Sequence, residues 1–184
     1  MRAAAATGVP GAMPDFEDVY QQHVAFVWRV LSGMGVPPDR IEDAAQDVFV
    51  VVHGKLASFE GRSRLTTWLY GIARNVALEY IRRLARERSR AASIEPAPAA
   101  DADDAERSTQ RWEARRLLLD ILDRLDGDKR EVFLLVEIEQ VPVRDVAVML
   151  GIKENTAWSR LRLARREFDR HAAALRARER RNSR

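Results

Sequence analysis

Apolar residues along this chain recur every three to four positions, the spacing that gathers them on one face of a helix. The first run follows Asp15, a fitting N-cap, with Asp18 standing where a capping box has Glu. It takes in Phe16, Val19, Tyr20, His23, Val27, Val30, Leu31 and Met34, and Gly33, Gly35 and Pro37-Pro38 predict its end. Asp39 opens a second helix, with Ile41, Ala45, Val48, Phe49, Val52 and Leu56 facing inward and Glu42, Asp43, Gln46 and Asp47 facing outward. The polar loop Phe59-Glu60-Gly61-Arg62-Ser63-Arg64 then leads to a third helix capped by Thr66. Its core positions are Leu69, Ile72, Ala73, Val76 and Tyr80, and it ends in Arg82, Arg83, Arg86 and Arg88. Part of that basic cluster has a local cause, since cations complement a helix C-terminus. Alternation never persists and no Asn-Gly or Asp-Gly joins two β-branched runs, so no strand is expected.

From Ser89 the periodicity gives way to Ala, Pro and Asp, as in an acidic, extended linker. Helical spacing resumes with Trp112, Arg115, Leu118, Leu122 and Leu125, breaks at Asp126-Gly127-Asp128, and continues through Val132, Leu135 and Val136. The chain therefore reads as all-α, two small helical domains on a tether. A flexible tail covers 1–14, a three- to four-helix bundle 15–88 and a flexible linker 89–111. A second domain covers 112–172 and a basic tail 173–184. A tether with so little to bury predicts two domains that move independently.

The second domain has helix-turn-helix spacing. Ala147 is the small residue that lets two helices cross closely, and Gly151, four residues on, supplies the turn. Ile152, Ala157, Leu161, Ala164 and Phe168 form the inward stripe of the next helix, which fixes Trp158, Ser159, Arg162, Arg165 and Arg166 as the outward one. Asn155 or Thr156 would cap its N-terminus, where backbone N–H groups can also meet a phosphate. That outward stripe lies where a recognition helix meets the major groove. Arg162 could fork to a guanine, while Arg165 and Arg166, further along, suit phosphates. Trp158 would either meet thymine methyls or pack on the preceding helix.

Charge sharpens this picture. The net charge of +3 hides blocks: −5 over 15–53, +5 over 60–90, −6 over 91–147 and +7 over 153–184. Two basic blocks between acidic ones suggest two anionic contact sites on a chain that also meets something else. The bases are 28 Arg against 3 Lys, which suits phosphate recognition and equally follows from a GC-rich genome. With no cysteine, disulfides, thiolate nucleophiles and sulfur-ligated zinc are excluded. His23, His53 and His171 are too far apart in sequence for a histidine metal motif. No apolar run approaches the roughly 20 residues that span a bilayer. A cytoplasmic protein without membrane insertion, metal or cofactor is expected. No nucleophile, glycine loop or ligand set supports an enzyme.

Several motifs carry a resemblance. Ile41-Glu42-Asp43-Ala44-Ala45-Gln46-Asp47-Val48-Phe49 matches an acidic (D/E)-x-x-Q-(D/E)-x-F helix, and Phe59 and Thr67-Trp68-Leu69-Tyr70-Gly71-Ile72-Ala73-Arg74-Asn75 approach a WLYxIAxN signature. Arg130-Glu131-Val132-Phe133-Leu134-Leu135 and the stretch from Thr156 to Arg165 add a second pair. Together they resemble the extracytoplasmic-function (ECF, group IV) RNA polymerase sigma factors of the sigma-70 family, over about 15–88 (sigma domain 2) and 112–172 (sigma domain 4). The resemblance implies a promoter-specificity subunit that melts the −10 element and recognises the −35 element. Glu42, Asp43, Gln46 and Asp47 would dock on the clamp helices of the polymerase largest subunit, although a solvated acidic face would look the same. Phe59, Glu60, Gly61, Arg62, Ser63, Arg64 and Asn75 would hold a base flipped from the −10 element. Trp68 fits either stacking on unpaired bases or core packing. Asn155, Thr156, Trp158, Ser159, Arg162, Arg165 and Arg166 would read −35. Core RNA polymerase, including its β flap, and promoter DNA are the implied partners, and a cognate anti-sigma factor, common in the family, is a candidate one. The sequence departs from the family pattern at Asn155, Ala157, Trp158 and Leu163, so promoter preference does not carry over. The competing reading is an autonomous helix-turn-helix regulator with an N-terminal sensing or dimerising bundle.

Overall fold

The computed structural model describes residues 15–61, 63–91 and 109–182; the expected tail over 1–14, Arg62 and most of the expected linker lie outside the described residues. Its helices are α1 (Phe16–Met34), α2 (Ile41–Leu56), α3 (Leu65–Ala91), α4 (Thr109–Leu122), α5 (Gly127–Phe133), α6 (Val143–Leu150) and α7 (Glu154–Asn182). Among the described residues there is no strand.

Helices α1, α2 and α3 pack as a bundle around Val27, Val30, Ala44, Val48, Val52, Leu69, Tyr70 and Ala73, all fully buried. Asp15 caps α1 by accepting from the Glu17 N–H at 3.1 Å. Gly35, at φ 97°, ends it in the left-handed region with its N–H directed at Leu31 and Ser32, a conformation a side chain would resist. Two expected caps are corrected. Asp39 lies in a 3₁₀ turn, Pro38–Arg40, ahead of α2, because Pro37-Pro38 already constrains the entry. Thr66 sits inside α3, and the Arg64 carbonyl takes the first bonds, from Thr67 at 2.9 Å and Trp68 at 3.2 Å.

The second group folds around α7. Phe133 stacks on Phe168 at 4.7 Å, and Leu122, Leu125 and Ala164 close that cluster. After α5 the backbone widens into a π-helical turn, Leu134–Ile138, closed by a Glu139 N–H to Leu134 carbonyl bond of 3.0 Å and by Gln140 at φ 55°. Both ends of the linker are helical, since α3 continues to Ala91 and α4 starts at Thr109. Where a basic tail was expected, α7 continues through Ala172-Ala173-Ala174-Leu175, strong helix formers with Ala172 buried.

The largest difference from the sequence reading concerns the two groups together. They share one apolar core, in which Val132, Leu134, Leu135, Val143 and Val146 join the α1–α3 cluster. Gly33 of α1 lets Leu134 of the π turn approach so closely that a Cβ would stand 2.4 Å from its Cδ1. Contact between the groups therefore comes from the helices themselves and needs nothing from the tether.

Candidate nucleic-acid interface

The turn between α6 and α7 is built by Gly151, at φ 65°, with the Ile152 N–H returning 3.0 Å to the Ala147 carbonyl. Ala147, Ala157, Leu161 and Ala164 are buried, which turns the opposite face of α7 outward. Asn155, Ser159, Arg162, Arg165 and Arg166 are exposed and Thr156 is half-buried. The expected cap is again displaced: Lys153 supplies the first carbonyl, to Thr156 at 2.9 Å, so Asn155 and Thr156 lie in the first turn. Trp158 is 50% exposed and its indole N–H points along its own helix to Glu154, 3.4 Å away. Its apolar face is thus free and its one donor is directed elsewhere. Arg165 pairs with Glu137, Nη2 to Oε1 at 2.6 Å, whereas Arg162 and Arg166 have no ion-pair partner among the described residues.

In the first group the Phe59–Arg64 loop is held from beneath. Phe59 and Trp68 rings lie 5.2 Å apart, and Gly61 takes φ 68° where the loop reverses. Trp68 is half-buried and packs against the core. Glu60, Ser63 and Arg64 are exposed. Arg64 Nη1 is 2.8 Å from Asp145 Oδ2 of α6, an ion pair whose alignment falls short of a hydrogen bond. Asn75 is exposed in a groove along α3 with Arg74, Leu78, Glu79, Arg82 and Arg86. Among the described residues no hydrogen bond joins Asn75 to the loop.

Arg74 turns from that groove to donate to Glu131 at 2.9 Å, and the buried Tyr70 hydroxyl donates to the same oxygen at 3.2 Å. Burial above all, then the Glu131 charge, pushes the Tyr70 hydroxyl far up from its usual pKa, and the Glu131 hydrogen bond raises that of Arg74. Arg29 Nε and Nη2 donate to the two oxygens of Glu139 at 2.6 and 2.8 Å. The sequence pattern singled out none of these five residues for such a role; the +5 and −6 blocks signalled Arg74, Glu131 and Glu139, whereas Arg29 lies in the −5 block and Tyr70 is uncharged.

The outward face of α2 carries Glu42, Asp43, Gln46 and Asp47, all exposed, with Asp47 accepting from the Tyr80 hydroxyl at 2.7 Å. Beside it, α1 and α2 form a groove whose apolar residues include Tyr20, Trp28 and Val50, 41%, 36% and 65% exposed, with Glu17 and Glu42 on its rim. Tyr20, one of the periodic residues of α1, lies edge-on to Phe49 at 4.7 Å with its other side open. No described helix is long and apolar enough to cross a membrane.

A helical bundle with an acidic, partly apolar face is thus tied to a helix-turn-helix with a basic outward stripe. The description Sigma-70 region 2 matches residues 19–87, and Sigma-70, region 4 matches 115–168. The RNA polymerase sigma factor CarQ of Myxococcus xanthus is 33% identical over 150 residues, 80% of this chain and 83% of that one. The ECF RNA polymerase sigma factor SigC of Mycobacterium tuberculosis is 30% identical over 162 residues, 88% of this chain and 84% of that one. With SigE of Mycolicibacterium smegmatis, 27% identical, the match covers 89% of this chain and 63% of the relative. The same fold occurs in RpoE of Bartonella quintana, solved with the anti-sigma factor NepR (TM-score 0.69, 24% identity, 85% of this chain and 96% of that one). It occurs also in CnrH, solved with the cytosolic domain of CnrY (TM-score 0.65, 23% identity, 91% of each chain). The chain belongs to the ECF sigma factors of the sigma-70 family. Members of that family bind core RNA polymerase and promoter DNA and direct transcription initiation.

Proposed function

We propose that this sigma factor docks on core polymerase through α2, opens and reads the −10 element with the first group, and reads the −35 element with α7. The observation that carries the reading is the outward face of α7 behind the Gly151 turn, where Trp158, Ser159, Arg162 and Arg166 stand exposed on a helix whose other face is buried. Arg162, one turn further into α7 than Trp158, suits a forked contact to guanine; Trp158 offers apolar surface to a thymine methyl. Arg166 suits a phosphate, and Arg165 does so once it leaves Glu137. Asn155 and Thr156 contribute the polar first turn.

The Phe59–Arg64 loop with Asn75 receives a base extruded from the −10 element, recovering by hydrogen bonds part of the few kcal/mol that unstacking costs. Asn75 has both a donor and an acceptor for a base edge, and exposed Glu60, Gly61 and Ser63 edge the site. Trp68, packed on Phe59, supports the loop from below. The acidic face Glu42, Asp43, Gln46 and Asp47, together with the neighbouring apolar groove, fits a partner presenting basic and apolar side chains, here the clamp helices of the largest polymerase subunit. The β flap is the partner assigned to the second group. The boundaries 15–88 and 112–172 delimit the two functional units. The protein works in the bacterial cytoplasm, without chemistry of its own. An anti-sigma factor is a further partner, as NepR is for RpoE of Bartonella quintana in their solved complex.

Runoff transcription with core polymerase on a promoter library tests the whole reading, with Asn75→Ala as the internal control. Wild type gives promoter-specific transcripts. Asn75→Ala lowers permanganate reactivity of the −10 bubble and spares −35 duplex binding. A chain that shifts specific duplex equally well with and without core enzyme would instead be an autonomous regulator.

A further inference from the structure

We propose that Tyr80 is a positioning residue for polymerase docking, its buried hydroxyl fixing the Asp47 carboxylate on the outward face of α2. This role rests on the α2 docking reading above and adds to it a residue from another helix. Of the four polar residues on that face, Glu42, Asp43 and Gln46 have no hydrogen-bond or ion-pair partner among the described residues. Asp47 differs. Its Oδ2 accepts from the Tyr80 hydroxyl of α3 at 2.7 Å, across 33 residues of sequence. That length falls in the range of charge-assisted O–H···O⁻ bonds. Tyr80 is only 6% exposed and belongs to the core beneath α2 and α3, so the donor is held still. Burial first, then the bond to Asp47 and the charge of that residue, raise the Tyr80 hydroxyl above its ordinary pKa, which keeps it a donor.

The chemistry of the donor matters as much as its distance. A guanidinium on Asp47 would offset the charge that draws a basic partner, as Arg74 does for Glu131. A phenol is neutral, so it fixes the carboxylate and leaves the charge in place. A cation does lie close by, yet it is engaged elsewhere. The Arg83 guanidinium sits over the Tyr80 ring, 4.3 Å from its centroid, and its Nε is 3.9 Å from Glu87. Arg83 thus closes over the ring and helps to keep it in place. An unheld aspartate on a helix surface samples several rotamers, and docking has to select one. With Oδ2 held, that selection precedes the partner's arrival. Oδ1 has no bond among the described residues and remains for an incoming arginine or lysine.

The test measures binding of the full chain to core RNA polymerase by biolayer interferometry across a salt series. Tyr80→Phe deletes the hydroxyl and keeps the ring under Arg83. It should weaken core binding about three- to tenfold, the scale of ordering one side chain. The salt slope should stay unchanged, because no charge is lost. Asp47→Asn removes the charge and should lower the slope as well as the affinity. Asp47→Glu keeps the charge but moves it one methylene away from its place on the hydroxyl. It should match Tyr80→Phe, and it covers a folding failure of that variant. In an Asp47→Ala background Tyr80→Phe should have no further effect, whereas a purely structural role for Tyr80 weakens binding in both backgrounds. Equal weakening in both backgrounds, or wild-type affinity for either Tyr80→Phe or Asp47→Asn, would overturn the positioning role. The docking reading stands in those cases as long as Glu42→Gln or Asp43→Asn weakens binding. Wild-type affinity for Glu42→Gln, Asp43→Asn and Asp47→Asn alike would remove the docking reading, and the positioning role with it.

Discussion

Replacing Gly33 with alanine sets two effects of known sign against each other. Within α1 the added methyl favours the helix by up to about 1 kcal/mol, because glycine loses more backbone entropy on folding. Across the boundary it meets Leu134, with Cδ1 2.4 Å and Cδ2 2.8 Å from the new carbon. Carbon atoms pack at about 3.5–4.0 Å, so the overlap is on the order of 1 Å. Leu134 is fully buried and has little room to withdraw. Overpacking of this kind costs about 1–3 kcal/mol, and that cost falls on the contact between the groups and not on the first bundle. At about 1.4 kcal/mol per tenfold, the equilibrium between docked and separated groups moves by about 5- to 150-fold. Scanning calorimetry and urea unfolding followed by far-ultraviolet circular dichroism read the outcome. Wild type should unfold in one transition, since its groups share a core. Gly33→Ala should show two, the later one no less stable than the α1–α3 bundle in wild type. A single transition at higher temperature would mean that Leu134 swings aside, and the close approach would then contribute nothing to holding the groups together.

Arg162→Ala should relax −35 preference at one base pair, with about 1–3 kcal/mol of discrimination lost there, whereas Arg166→Ala should weaken all sequences alike and lower the salt slope by about one; selection from a randomised −35 library and binding across a salt series separate the two. Trp158→Lys should change the selected sequence, and an unchanged selection would show that the indole never reaches a base. Burial holds the His23 imidazole below its ordinary pKa of 6.5, so the unfolded chain takes up a proton more readily. Its contribution to stability is complete above about pH 6.5 and declines as pH falls toward the folded-state value; His23→Gln should flatten that part of a stability-against-pH curve measured by urea unfolding.

The sequence by itself determined the helices and the direction of their faces. Ala147, Gly151 and the stripe Ala157, Leu161, Ala164 are separated by a few residues each, and helical geometry alone converts that spacing into a turn, a buried side and an outward Arg162 and Arg166. The same holds for Asp15 as a cap and for Gly35 at a helix end, where local backbone conformation decides. The exposed acids of α2 were legible for the same reason. Cap positions slipped by one or a few residues at α2, α3 and α7, because a carbonyl such as that of Arg64 or Lys153 can take the first helical bonds without help from a side chain.

Only the tertiary structure decided what covers those faces. Arg74 and Glu131 are 57 residues apart in sequence, and Arg29 and Glu139 are 110 apart. No periodicity links such positions, and an arginine on a basic helix pairs equally well with a carboxylate or a phosphate. The docking of Leu134 on Gly33 depends on a π turn that widens the backbone by one residue, a change invisible to a helical repeat. Tyr20 shares the helical spacing of the core residues of α1 but ends on an open groove because α2 covers only one side of its ring. Local geometry orients each helix face, and long-range complementarity of charge and shape, which many pairings could satisfy on paper, selects the one that forms.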